Sequence, residues 1–425
     1  MAVASDVPKE SFRLSMLIYD TRYRSITIQI FVLLLFALFV SWLISNTISN
    51  LAIRGKEFNF GFLWSRAGYD IGQALIPYSN DSSHLTALFV GLVNTLVVAL
   101  LGCVLATILG VIIGVLRLSK NWLVGRLMTV YVEMFRNVPL LLWILLSYVI
   151  LSETTPQPRD FRVTDEMAAA GEAPAASMML FDTVAVTNRG TNIPSPLFDV
   201  SLGSVDLGFM SVNLTILAYI LVIAGSVWIN RRILAAARAR QEATGDRPVT
   251  WWKSLLVLFG PVIALSVGLG LHLEIPELKG FNFAGGILVA HSFTALLIAL
   301  TLYTAAFIAE IVRAGIMAIN RGQSEAAFAL GLRPGRTMNL IILPQALRVI
   351  IPPLISQFLN LTKNTSLGIA VSYLDLRGTL GGITLNQTGR ELECMLLMML
   401  IYLTISLIIS ALMNLYNSSV QIKAR

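Results

Sequence analysis

Few side chains in this sequence have the type and spacing to do chemistry, and most of them are charged or amide groups set in apolar surroundings. Glu133 and Arg136 lie three residues apart, as do Glu310 and Arg313, a spacing that puts both members on one helix face. An ionisable group at membrane depth is costly, so each pair is either a structural ion pair near a helix end or a gate on a solute path. A second feature is the polar run Asn360-Leu-Thr362-Lys363-Asn364-Thr365-Ser366, with apolar sequence before it (Ile350–Leu359) and after it (Leu367–Val371). Polar backbone inside a bilayer is tolerated where it lines a cavity, and broken helices near the midplane hold solutes in many transporters. A plain helix end at the outer interface is the other reading. The candidate pathway residues are Glu310, Arg348, Lys363, Asn364, Thr365 and Ser366.

Several common chemistries find no footing. No GxxxxGK[ST] phosphate loop occurs, so the chain supplies no nucleotide site of that kind. Gly331-Leu-Arg-Pro-Gly335-Arg-Thr337 resembles one superficially but has the wrong spacing and no lysine. His84, His272 and His291 are scattered, without metal-ligand spacing. HExxH and GxSxG patterns are missing, and Ser292 beside His291 is too slight a basis for an intramembrane hydrolase. Cys103 and Cys394, in or beside apolar stretches, read as buried and inert, and two cysteines make no disulfide framework.

The elements that must position the polar groups are membrane helices. Of the 425 residues 56% are hydrophobic and 13% charged, against about 25% charged in soluble domains. Apolar runs predict about eight spans, near 26–44, 88–116, 130–151, 213–230, 252–271, 291–315, 340–362 and 394–416. Pro139 is expected to kink or break the third. Gly110-Val-Ile-Ile-Gly114 is a GxxxG pattern, open to helix association between chains or to packing within one. The first 25 residues are of mixed charge and the apolar run after them is too long for a signal h-region. No cleaved leader is expected.

Charge fixes a sidedness. With the N-terminus inside, the internal segments hold nineteen basic residues, among them Lys9, Arg13, Arg117, Arg231, Arg232, Arg238, Arg240, Arg247, Lys253, Arg333, Lys423 and Arg425, against six acids, Asp6, Glu10, Asp20, Glu242, Asp246 and Glu325. The external segments hold ten basic and sixteen acidic residues, so both termini are expected in the cytoplasm. The external loop 152–212 carries eight acids, including Asp165, Glu166 and Glu172, and is expected to be irregular with a short hairpin around 180–205. It is either a solvated spacer or a docking surface.

On the internal side lies Gly322-Gln-Ser-Glu325-Ala326-Ala327-Phe-Ala-Leu-Gly331, followed by Ile341-Ile-Leu343-Pro344. Ser324 is expected to cap a short helix, with Glu325 in its first turn at the positive end of the dipole. Alanines keep the helix thin, and Gly331 with Pro334 ends it. Glu-Ala-Ala, three residues, Gly, nine residues and Ile-x-Leu-Pro resembles the signature loop of permeases in ATP-binding-cassette importers, matched at every fixed position from Glu325 to Pro344. The flanks, Ala309-Glu310-Ile-Val-Arg313-Ala-Gly315, Leu343-Pro344-Gln-Ala-Leu-Arg348 and Lys363-Asn364-Thr365-Ser366-Leu367, resemble the polar amino acid branch, as do Gly91-Leu-Val-Asn94-Thr95-Leu96 and Tyr131-Val-Glu133-Met-Phe135-Arg136. The insertion 152–290 between the two blocks looks like that of general L-amino acid or glutamate/glutamine/aspartate importers.

The resemblance implies an all-α type I importer permease bundle. Its parts are an N-terminal tail, first helix and external loop over 1–87, a first core half over 88–151, the insertion over 152–290 and a second core half over 291–425 with a coupling helix at 322–336. It implies that Glu325, Ala326, Ala327, Gly331, Leu343 and Pro344 couple the chain to an ATP-binding-cassette ATPase dimer, which binds ATP and Mg while this chain holds no cofactor. Also implied are a second homologous permease, in a heterodimer or a homodimer, a periplasmic amino acid binding protein, a bacterial inner membrane location, and no nucleic acid. Related importers often carry Asp where this chain has Asn364. Its amide, with Lys363 or Arg348 supplying positive potential, is expected to admit acidic or neutral amino acids. An ion-coupled secondary transporter or channel would share the spans but has no need of the short internal helix.

Overall fold

Long apolar runs with their backbone bonds closed internally are the stable form of this chain in lipid, and they set the architecture. The structure, a computed structural model, describes Ile18, residues 20–53, Gly55, and residues 58–163, 173–206, 211–246 and 248–420. The charges counted at Asp6, Lys9, Glu10, Arg13, Asp165, Glu166, Glu172, Arg247, Lys423 and Arg425 lie outside the described residues. The main helices are α1 (Thr21–Ile53), α2 (His84–Leu116), α3 (Trp122–Asn137), α4 (Leu140–Thr154), α5 (Leu214–Thr244), α6 (Trp251–Gly268), α7 (His291–Met317), α8 (Arg321–Ala329), α9 (Leu343–Asn364) and α10 (Glu391–Val420). Among the described residues, seven helical stretches are long and apolar enough to cross a bilayer, one of them Pro334–Val371, which contains α9. An eighth crossing is possible only if α3 and α4, bent by 106°, are taken together.

That bend is the break expected at Pro139 within the apolar run 130–151. Val138 and Pro139 are both extended, with ψ of 135°. Proline pushes the residue before it out of the helical region and offers no N–H to the helix, so α3 ends and α4 starts afresh in another direction.

The chain divides into two compact units, Met1–Phe60 and Gly61–Arg425. In the first, α1 buries none of the residues in its apolar window. In the second, α2 and α7 run side by side at glycine-permitted distance. A Cβ at Gly110 would lie 2.7 Å from the Ile308 side chain, and one at Gly114 2.7 Å from the Ala309 carbonyl. The GxxxG pattern therefore serves packing within the chain. Around this pair Val98, Ile144, Leu296 and Leu300 form one buried cluster, and Ala106, Ala305, Ile308, Ile350 and Leu361 another.

The insertion adds short strands to an otherwise helical chain: β1 (Ala185–Thr187), β2 (Gly190–Ile193), β3 (Ser195–Phe198), β4 (Ser204–Asp206), β5 (Ser211–Asn213), β6 (Leu271–Glu274), β7 (Glu277–Lys279), β8 (Asn282–Ala284) and β9 (Ile287–Val289). The expected hairpin is β1–β2, to which β9 adds a third antiparallel strand. β3 pairs with β6, joining the sequence before α5 to the sequence after α6. These polar connections satisfy their backbone groups by pairing with each other. Between them α5 and α6 form an antiparallel hairpin, tied by the Tyr219 and Ser266 hydroxyls at 2.8 Å.

Candidate coupling and translocation sites

The 27-residue α7 separates two differently built ends. At its start, directly after β9, the His291 Nε2 lies 2.7 Å from the Thr187 carbonyl, so the strand layer sits at this end. The start of α2 is tied nearby, His84 Nδ1 lying 3.0 Å from the Thr384 hydroxyl. After a three-residue link from the end of α7, α8 begins at the opposite end of the bundle.

α8 is short because both ends are chemically marked. Asn320 is its N-cap, its side-chain oxygen accepting from the Gly322 N–H at 2.9 Å. The expectation that Ser324 caps the helix with Glu325 in the first turn is therefore corrected. Asn320, an equally good cap, lies four residues earlier and starts the helix first. At the other end Gly331 adopts φ +74°, while the Leu332 N–H bonds the Ala327 carbonyl at 3.1 Å, a left-handed stop suited to glycine. Along the helix only Ala327 is buried, and Glu325, Ala326 and Phe328 are exposed. Phe328 is 54% and Leu330 81% exposed. The inner side rests on the following turns, where Gln345 Nε2 reaches the Gln323 side-chain oxygen at 3.4 Å. Leu343 and Pro344 open α9, and proline near a helix start gives up only an N–H that has no intrahelical partner.

The same end holds a charged cluster. Arg313 donates to both Glu310 carboxylate oxygens, at 2.5 and 3.2 Å. Arg117, from the end of α2, donates to Glu310 as well and lies 3.8 Å from Glu133 on α3. Three helices are thus clamped around Glu310. This geometry fits the structural reading of the Glu310 pair. The Glu133–Arg136 pair is not formed: Glu133 faces Arg117 and accepts from Asn137 at 3.1 Å, while Arg136 stacks 5.3 Å over the Phe307 ring. Charge from neighbouring helices outcompetes the partner on the same helix.

The polar run marks a change from α-helix to a tighter helix, and the chain leaves the helix only after Val371. α9 ends at Asn364, a tight helical turn covers Thr365–Val371, and Ser372 takes a left-handed conformation at φ 59°. The buried Thr365 hydroxyl donates to the Thr362 carbonyl at 2.9 Å, and that of Ser366 to the Lys363 carbonyl at 2.7 Å. Lys363 is exposed and Asn364 half-buried. Leu361 packs at Gly102, near the middle of α2, so this change of helix type falls well inside the bundle. Arg348 is not brought to it. Sixteen residues of α9 separate Arg348 from Asn364, roughly 24 Å at the helical rise. Arg348 instead has Nε and Nη2 enclosed without a hydrogen-bond partner among the described residues.

Beyond this change of helix type lies a polar network that motif reading missed. Asp375 is fully buried, accepting from the Gly378 N–H at 2.9 Å and the Tyr402 hydroxyl at 3.1 Å. Asn94 donates to the Gln73 and Leu374 carbonyls at 2.8 and 2.9 Å, and the Tyr373 hydroxyl donates to the Asn94 carbonyl. The available signal was Asp375 itself, a lone acid between Leu374 and Leu376. A cavity of about 220 Å³ adjoins the network, lined by Gln73, Asn94, Val289, Phe293 and Tyr373 among others. A larger groove between α2, α9 and α10 holds almost only apolar side chains. Its hydroxyls at Thr107, Thr362 and Thr404 donate to their own helices, so it offers a zwitterion nothing.

The family model for the inner membrane component of binding-protein-dependent transport systems matches residues 106–422, more than half of the chain. The glutamate/glutamine/aspartate/asparagine transport system permease protein BztB of Rhodobacter capsulatus is 71% identical over the whole of both chains. The general L-amino acid transport system permease protein AapQ of Rhizobium johnstonii is 42% identical, covering 98% of this chain and 96% of its own. The putative amino-acid ABC transporter permease protein YhdX of Escherichia coli is 41% identical over 91% of each. This chain belongs to the inner membrane components of binding-protein-dependent transport systems, in the branch of amino acid ABC transporter permeases.

Proposed function

We propose that this chain is one transmembrane half of an ATP-driven importer for acidic and neutral L-amino acids, working by alternating access with both termini in the cytoplasm. The observation that carries this reading is α8, a nine-residue helix outside the spans with only Ala327 buried. The exposed apolar side chains of Phe328 and, just past its end, Leu330 suit a cleft in a second protein. Glu325, Ala326 and Ala327 with the Gly331 stop form the docking segment, and Leu343 and Pro344 anchor it to α9. ATP and Mg belong to an ATPase dimer on the cytoplasmic side, whose closure moves α8 and the helices joined to it. A soluble binding protein delivers the amino acid to the strand-bearing end, and a second homologous permease completes the passage. The names of the similar permeases support the substrate class, and the Asn364 amide fits it, since no fixed negative charge there opposes a side-chain carboxylate.

The test is coexpression with the ATPase and the second permease. The purified complex is expected to hydrolyse ATP faster when loaded binding protein is added, and Gly331→Asp is expected to abolish that stimulation while the chain still inserts. Solute uptake by this chain alone under an ion gradient, with no ATPase present, would instead establish a secondary transporter.

A further inference from the structure

The α5–α6 hairpin has a feature that solute transport does not use. α5 is 31 residues long and α6 only 18, or about 46 and 27 Å, against a hydrocarbon core of about 30 Å. The Tyr219–Ser266 hydrogen bond sets their relative height. About twelve residues further along each, Arg231 and Arg232 on α5 come level with Lys253 and Ser254 on α6. Trp228, Trp251 and Trp252 lie within one helical turn of that level, and all three are exposed. The Arg232 guanidinium sits 5.1 Å over the Trp228 ring and the Lys253 ammonium 5.4 Å over that of Trp252. Arg238 and Arg240 continue the charge on the overhang of α5. None of these five cations has an ion-pair partner among the described residues, and the nearest acids along the chain, Glu242 and Asp246, lie further out.

We infer that this collar of tryptophans and cations binds the headgroups of anionic phospholipids and holds the hairpin at a fixed depth. Tryptophan is at its most favourable between the hydrocarbon and the headgroups, which sets these residues at phosphate height. Unpaired cations there complement a negative headgroup, each adding attraction that salt weakens. Lipid can reach the collar from the side. No residue of α6 is buried, and a Cβ added at Gly260 or Gly268 would meet nothing within 4 Å. The occupant is a lipid and not an acidic protein because cations and indoles share one narrow level, whereas a soluble partner would meet only the overhang.

The experiment uses the full chain in its purified complex, stripped of native lipid and offered phosphatidylglycerol and phosphatidylcholine in equal amounts. Retained lipid is then counted by mass spectrometry. Wild type is expected to retain phosphatidylglycerol preferentially, and R231Q/R232Q/K253Q to lower that preference by at least about tenfold. R231K/R232K is expected to keep it. Raising salt from about 0.05 to 0.5 M is expected to weaken the wild-type preference, since exposed charges are screened, and this reading needs no variant to fold. Equal retention of the two lipids by wild type, a preference unaffected by the triple substitution, or one indifferent to salt would each overturn the inference.

Discussion

Single side chains in this protein act through the company that the helices bring to them. Glu310 is the clearest case, bound by Arg313 on its own helix and by Arg117 on α2. Glu310→Gln leaves two guanidinium groups facing a neutral amide. It is expected to cost about 2 kcal/mol, read as a drop of several degrees in the melting midpoint of the detergent-solubilised complex. Asn364, half-buried at the end of α9, is expected to act on selectivity. Asn364→Asp should lower glutamate uptake by about tenfold or more, as a like charge placed close at low dielectric requires, and raise uptake of arginine in competition assays. Unchanged glutamate uptake with no gain for arginine would remove Asn364 from the selectivity account. The sequence made both residues visible as polar groups in apolar runs. It could not reveal that Glu133 turns to Arg117 instead of Arg136, because partners on different helices are set by packing and not by spacing.

At the scale of elements, sequence rules were most reliable where a local signal is strong. Gly331 stops α8, Pro139 breaks the third crossing, and the residues around Asn364 end α9, all as their types require. The rules failed where two good signals compete, as with Asn320 and Ser324 for the cap of α8. Asn320→Ala is expected to cost the helix about 1 kcal/mol and, by loosening α8, to weaken stimulation of the ATPase, measured as turnover of the complex with loaded binding protein. Ser324→Ala, which removes no cap, is expected to leave it near wild type. Between elements the controlling residues are small. Gly110→Val would drive a side chain into Ile308 and the Ala305 carbonyl. It is expected to destabilise the α2–α7 pair by about 1–3 kcal/mol, again read by thermal unfolding. The polar network of Asp375, Tyr402, Asn94 and Tyr373 was illegible beforehand because its members are scattered over some 300 residues and meet only after folding.

Across the whole molecule, the strand layer and α8 occupy opposite ends of α7. An importer subunit needs that polarity, with one end to receive solute and the other to receive force. In the proposed orientation, which rests on the charge distribution of the loops, α8 faces the cytoplasm, where the exposed Phe328 and Leu330 are available to a partner. The most direct test is Glu325→Cys, in a chain with Cys103 and Cys394 replaced, within the assembled importer in spheroplasts. The single thiol so introduced is expected to resist a membrane-impermeant maleimide added outside, to react in inverted vesicles, and to crosslink to the ATPase subunit. Labelling from the outside, or no crosslink to the ATPase in a complex that still turns over, would contradict the account.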